Sequence, residues 1–165
     1  NDSVWQSAIG VSLFARLHNN DTPMVLITGH RRENFGQGFV DLCSAIKQLA
    51  EAHSDWEFVY PVHLNPNVQQ PVYDILADLG NVSLIDPQDY LPFTWLMNRS
   101  ALILTDSGGI QEETTYRQVP CITLRPNTER PSTTTLGTNQ MLTELVVADV
   151  MHANFLMPYN NACLC

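Results

Sequence analysis

Cationic side chains are scarce in this sequence. The 165 residues carry eight of them against seventeen acidic groups, for a formal charge of −9, and Lys47 is the single lysine. Binding a nucleic-acid backbone takes a broad basic face, so this balance argues against nucleic acid as a partner. Long apolar runs are also missing. Stretches such as Ala101–Leu104 and Leu145–Ala148 fall far short of the roughly 20 residues a spanning helix needs, so no membrane segment is expected. Cysteine is sparse: four residues, too scattered for a disulfide framework. Cys43 falls in a helical pattern and Cys121 in a strand pattern, and both read as reduced core residues. Cys163 and Cys165 close the chain with only His152 nearby as a third ligand, which is too few for a metal site, and no metal is expected. No basic–apolar–small-residue sequence of a signal peptide opens the chain, so the expected location is cytoplasmic.

What is present is an ordinary globular composition, 44% hydrophobic and 15% charged, in a length that suits one domain. Strand and helix patterns alternate from Met24 onward. Met24–Thr28 is a short apolar run stopped by Gly29, as in a buried parallel strand. Phe39–Ala52 places Phe39, Leu42, Cys43, Ile46, Leu49 and Ala50 at helical spacing. Trp56–Tyr60 predicts the next strand, Val68–Leu79 a helix stopped by Gly80-Asn81, and Val82–Ile85 a third strand. A helix around Trp95–Met97, a strand over Ala101–Leu104, a helix over Ile110–Arg117 and a strand over Cys121–Leu124 follow. Ahead of them, Val4–Leu17 has the spacing of one helix, and Leu142–Val147 has the pattern of a sixth strand. Repeated units of this kind imply right-handed crossovers and an α/β, Rossmann-like doubly wound parallel sheet. The expected division is a linker or interdomain helix over 1–22, a nucleotide-binding domain over 23–148, and an atypical tail over 149–165. Ligands bind such sheets at the carboxyl ends of the strands. The polar motifs fall there.

Thr28-Gly29-His30-Arg31-Arg32-Glu33-Asn34 follows the first strand, with Gly29 for a tight turn and three side chains suited to anions. His30 titrates near neutrality and can hand a proton to a departing phosphate oxygen, or it can be a loop histidine beside solvated arginines. Thr105-Asp106-Ser107-Gly108-Gly109-Ile110-Gln111-Glu112-Glu113 runs from a strand through two glycines into a helix. The N–H groups at such a helix start hold a diphosphate, Ser107 adds a hydroxyl, Asp106 can cap the turn, and Glu113 can accept both hydroxyls of a ribose. The plainer reading is a capped helix with acids favoured by its dipole. Tyr60-Pro61-Val62-His63-Leu64-Asn65-Pro66 has Asn65 as N-cap and Pro66 at the first helical position, which leaves His63 for a ligand or a local hydrogen bond. In Tyr90-Leu91-Pro92-Phe93 the aromatic ring of Phe93 suits a flat base or the core. Arg125-Pro126-Asn127-Thr128-Glu129-Arg130-Pro131, with Gly137-Thr138-Asn139 behind it, reads as a stiff loop in which Glu129 and Arg130 brace a pocket.

Taken together, these strings resemble the UDP-N-acetylglucosamine 2-epimerase family from Met24 to Asn139, in order and in register. That family pairs two Rossmann-like domains across a cleft, as GT-B glycosyltransferases do, and the resemblance implies that this chain is the second domain. It further implies UDP or UDP-N-acetylglucosamine as ligand, with Ser107, Gly108 and Gly109 at the diphosphate, Glu113 at the ribose and the segment around Phe93 at the uracil. His30 matches a residue at the reaction centre. Arg31 and His63 match positions that bind a second, activating UDP-N-acetylglucosamine in some bacterial, non-hydrolysing members. The implied reaction is elimination of UDP with loss of the C2 proton, then re-addition on a 2-acetamidoglucal to give UDP-N-acetylmannosamine, with no cofactor. The implied partners are the absent N-terminal catalytic domain and, for the full-length enzyme, a second copy. Arg117-Gln118 stands where the family commonly has Leu-Gly, and the tail after Met141 departs from the family's closing helices. Without the first domain's carboxylates, this chain is expected to be inactive or nearly so alone. A stand-alone UDP-binding module and a GT-B glycosyltransferase domain are the alternatives. Gly-His-Arg-Arg-Glu and Asn-Thr-Glu-Arg-Pro favour the epimerase over the glycosyltransferase.

Overall fold

A computed structural model describes residues 2–19, 22–29, 36–124 and 139–141, the last three and Asn19 as backbone only. Two helices, α1 (Asp2–Ile9) and α2 (Val11–Asn19), precede β1 (Met24–Thr28). Then come α3 (Gln37–Ala52), β2 (Glu57–Pro61), α4 (Pro66–Leu76), β3 (Val82–Ile85), α5 (Tyr90–Arg99), β4 (Leu102–Thr105), α6 (Gly108–Arg117), β5 (Cys121–Thr123) and β6 (Asn139–Met141). The strands form one parallel sheet in the order β3-β2-β1-β4-β5-β6. This is the order of a doubly wound dinucleotide-binding sheet.

The sheet buries side chains on both faces, which is why its strands are continuous apolar runs with no polar alternation. All five residues of β1 are buried. Val25 and Ile27 point to one face, with Phe58, Tyr60, Leu102, Leu104 and Ile122, and meet α3 and α4 there. Met24 and Leu26 point to the other, with Val59 and Ile103, and meet α1, α2 and α5. The six apolar positions picked out by helical spacing in α3 are the six it buries.

The amino-terminal segment departs from expectation. Its helical spacing continues from Val4 to Leu17, but the backbone breaks at Gly10, whose φ is +89°, a conformation open to glycine and costly for other residues. Both short helices then lie on the sheet. Ile9, Leu13, Phe14 and Leu17 are buried. Trp95 of α5 stacks on Trp5 and Phe14, with ring centroids 6.2 and 5.5 Å apart. Arg16 reaches Glu57 Oε1 of β2 at 2.9 Å and Ser83 Oγ of β3 at 2.8 Å. Arg99 donates from Nε to the Leu17 carbonyl at 2.7 Å and from a terminal nitrogen to the Thr22 carbonyl at 3.1 Å, satisfying acceptors at the α2 end.

Smaller differences have local causes. α4 stops at Leu76, short of Leu79, although Ile75 and Leu79 still pack on the core. The sixth strand starts at Asn139, ahead of Leu142–Val147, which lies outside the described residues. The tail over 149–165 lies outside them as well. α6 ends on Gln118 in the left-handed region at φ 57°, ψ 32°, where glycine is the unstrained choice. Gln118→Gly should therefore stabilise the chain by about 0.5–1 kcal/mol. Thermal unfolding should record it as a rise of about 1–4 °C, and an unchanged or lower midpoint would contradict strain at this cap.

Candidate functional site

Sheet order fixes where a crevice opens. β1 leads to β2 on one side and β4 leads to β5 on the other, so the connections leaving their carboxyl ends part company between these two adjacent strands. Such a switch point is where open α/β sheets bind ligands. The Gly-His-Arg-Arg-Glu-Asn and Asp-Ser-Gly-Gly motifs follow β1 and β4 in the sequence.

The floor of the crevice is tightly tied. Thr28 and Thr105 share a hydrogen bond between hydroxyls 2.6 Å apart, and Thr105 Oγ1 accepts the Ser107 N–H at 3.0 Å. The Asp106 N–H donates to the Thr28 carbonyl at 3.2 Å, and the Asp106 side chain is wholly buried. The Tyr60 hydroxyl donates to the Gly29 carbonyl at 2.7 Å. Burial, then the neighbouring Cys43 and Asp106, push the Tyr60 phenol well above its usual range against a smaller opposing pull from that bond, so it remains a donor. Gly29 is needed here for room, because its backbone is not left-handed. A Cβ on it would stand 3.3 Å from the Tyr60 hydroxyl and 3.4 Å from Leu42 Cδ2. Burial also holds the Cys43 and Cys121 thiols at about 12, which keeps them protonated and inert.

Above this floor α6 begins at Gly108 without a capping bond from the side chain of its N-cap residue. Ser107, not Asp106, occupies the N-cap position at φ −95°, ψ 126°, and its side chain makes no capping bond. No acidic residue lies in the first turn. The first N–H groups of an α-helix have no acceptor within the helix, and they carry the positive end of its dipole. A Cβ built on Gly109 meets nothing nearer than Ser107 Oγ at 3.9 Å, so space stands open at the first turn. The capped-helix reading, with acids drawn to the dipole, does not describe this arrangement.

Glu113 lies further along α6, its side chain one-third exposed. Its Oε2 takes the Tyr90 hydroxyl at 3.4 Å and an Arg117 terminal nitrogen at 3.4 Å. Tyr90 opens α5, and Phe93 sits in the same first turn, partly buried against the core on the α1–α2 side of the sheet. Phe93 thus contributes to packing, and Tyr90 links its turn to Glu113. The sequence reading missed both contacts: the Glu113–Arg117 pair has an i, i+4 spacing that could have found it, whereas the Tyr90 contact spans 23 residues and left no local signal.

His63 follows the β2 end and is exposed; its Nδ1 accepts the Asn65 N–H at 3.1 Å, the local hydrogen bond foreseen as the alternative to a ligand. Asn65 caps α4 by accepting the Asn67 N–H at 3.0 Å, with Pro66 behind it. His30, Arg31, Glu129 and Arg130 lie outside the described residues. Their segments leave from known points, however: one after Gly29, the other after Leu124, whose N–H donates to the Thr105 carbonyl at 2.8 Å. Among the described residues no helix is long and apolar enough to cross a membrane.

The family model described as UDP-N-acetylglucosamine 2-epimerase matches residues 7–160. A UDP-N-acetylglucosamine 2-epimerase of Escherichia coli K12 is 56% identical over 122 residues, which is 74% of this chain and 32% of that protein. One from Salmonella typhimurium is 53% identical over 136 residues, 81% of this chain and 36% of the relative. The chain thus spans about a third of the length of these curated relatives. The crystal structure of the Neisseria meningitidis UDP-GlcNAc 2-epimerase bound to UDP-GlcNAc superposes with a TM-score of 0.77 at 39% identity, covering 91% of this chain and 41% of that one. A co-structure of S. aureus MnaA with UDP gives 0.78 at 34% identity, covering 84% and 38%.

Proposed function

Because the chain belongs to the UDP-N-acetylglucosamine 2-epimerase family, we propose that it forms the UDP-binding half of an enzyme interconverting UDP-N-acetylglucosamine and UDP-N-acetylmannosamine. The observation that carries this reading is the α6 N-terminus at the β1/β4 switch point, with no capping bond from Ser107 and no acid in its first turn. Ser107, Gly108 and Gly109 receive the diphosphate on backbone N–H groups and a hydroxyl that no cap bond engages. Glu113 accepts hydroxyls of the ribose, and the first turn of α5, with Phe93, lines the uracil side.

His30, one residue beyond Gly29, acts at the reaction centre. The bond between the anomeric carbon and the UDP oxygen breaks as a proton leaves C2, giving UDP and a 2-acetamidoglucal. Reprotonation of C2 on the opposite face and return of UDP complete the epimerisation. Carboxylates of the first domain move the C2 proton, so the cycle needs that domain beside this one. Arg31 and His63 belong to a second UDP-N-acetylglucosamine site, and Glu129 with Arg130 braces the pocket.

UDP titrated into the chain by calorimetry should give saturable binding. Glu113→Ala should weaken it about 10-fold or more through loss of charge-assisted hydrogen bonds. Absence of UDP binding by folded wild type, or full affinity in the variant, would refute the site.

A further inference from the structure

The carboxylate of Glu113 is held in an asymmetric way. Both side chains that reach it, Tyr90 through its hydroxyl and Arg117 through a terminal nitrogen, come to Oε2. Among the described residues nothing is bonded to Oε1. We infer that Tyr90 and Arg117 are positioning residues: they clamp Glu113 by one oxygen and present the other to the nucleoside's ribose hydroxyls. The inference rests on Glu113 as the ribose acceptor.

Three observations carry it. First, the guanidinium is itself anchored, because its other terminal nitrogen donates to Asn98 Oδ1 of α5 at 2.9 Å. The planar fork thus transmits the position of α5 to the carboxylate, which a flexible ammonium would not do. Second, the Arg117 Nε–H is buried with no hydrogen-bond partner among the described residues. Stability does not favour leaving that donor unsatisfied, so the arginine's placement asks for another explanation. Third, Tyr90 is 63% exposed and lies at the opposite end of α5 from Asn98. Its hydroxyl contributes little to the fold, yet it meets the same carboxylate oxygen. Both contacts are 3.4 Å long.

The clamp makes a prediction about selectivity that a purely structural role does not. Holding Glu113 in register should matter to a nucleotide with a 2′-hydroxyl and hardly at all to one without it. UDP and 2′-deoxy-UDP are titrated into the chain, its Tyr90→Phe, Arg117→Leu, Arg117→Lys and Glu113→Gln variants, with thermal unfolding of each. Wild type should prefer UDP about 10-fold, roughly the effect of one good hydrogen bond to a charged acceptor. Tyr90→Phe and Arg117→Leu should each cut that preference about threefold through the UDP arm alone, and Arg117→Lys should restore part of it. Tyr90→Phe removes one oxygen from an exposed ring and keeps the test valid should Arg117→Leu unfold. If Glu113→Gln erases the preference while Tyr90→Phe and Arg117→Lys leave it at the wild-type ratio, the clamp is overturned and the ribose assignment stands. If wild type shows no preference, or Glu113→Gln keeps it, the ribose assignment itself falls and takes the clamp with it.

Discussion

Gly109→Asp should abolish UDP binding at any practical concentration and leave the fold intact. A Cβ at this position has open space before it, with only Ser107 Oγ at 3.9 Å, so nothing in the packing resists a side chain. An aspartate in the first turn of α6 would even be favoured by the helix dipole, by a few tenths of a kcal/mol or more, because that turn has no acid of its own. The same substitution places a carboxylate where the diphosphate must sit. Two like charges about 4 Å apart in a site of intermediate dielectric repel by about 4 kcal/mol, close to a thousandfold in affinity, before any loss of N–H contacts is counted. Calorimetry should show no UDP binding, while circular dichroism and the unfolding midpoint stay at or slightly above wild type. Gly109→Ala supplies the uncharged comparison and should lose far less. Retained UDP affinity in Gly109→Asp would place the diphosphate somewhere other than the α6 start.

The turn from β4 into α6 could be read from the sequence. A buried strand, two glycines and a helix start are consecutive, so local chemistry alone sets their geometry. The strands and their parallel, doubly wound class were accessible for a related reason: β1 through β5 are short apolar runs that alternate with helical patterns, although their order in the sheet was not read from the sequence. Features set by backbone conformation at one residue were not accessible. The helical pattern of Val4–Leu17 runs through Gly10 without a gap, and only the left-handed φ there reveals two helices. Gln118 itself gave no local sign of its left-handed conformation, and only the family's Leu-Gly at Arg117-Gln118 pointed to a glycine-type cap there. Distant pairs were equally silent. Gly29 reads as a turn residue in isolation, whereas the Tyr60 hydroxyl, 31 positions away, makes it a matter of space. Ser107 took the cap position assigned to Asp106 because the Asp106 side chain is committed to the interior.

The packing of α1 and α2 leads to a second large effect. A detachable linker helix tolerates loss of its apolar side chains; an integral one does not. Leu17 is 1% exposed, enclosed in the same cluster as Met24, Leu26, Val59, Leu96, Met97, Ile103 and Val119. Leu17→Ala should therefore cost about 2–5 kcal/mol, the usual range for a core leucine whose cavity cannot collapse. A chain of this size has a total stability of about 5–15 kcal/mol, so a large part of it would go. Val11→Ala on the same helix is the comparison: Val11 is 66% exposed, and alanine has the better helix propensity, so stability should stay within about 0.5 kcal/mol. Urea unfolding followed by circular dichroism and by tryptophan fluorescence should give coincident transitions in wild type and in Leu17→Ala, shifted together to lower midpoint. An early fluorescence transition, with the circular-dichroism midpoint unmoved, would mean that the two helices detach by themselves. The coincident outcome follows from what α2 touches. Arg16 holds Glu57 and Ser83 on two strands, and Arg99 holds the Leu17 and Thr22 carbonyls just ahead of β1. Any dissection meant to retain the nucleotide crevice should then keep α1 and α2, because the strand that ends at Gly29 starts from the segment they fix.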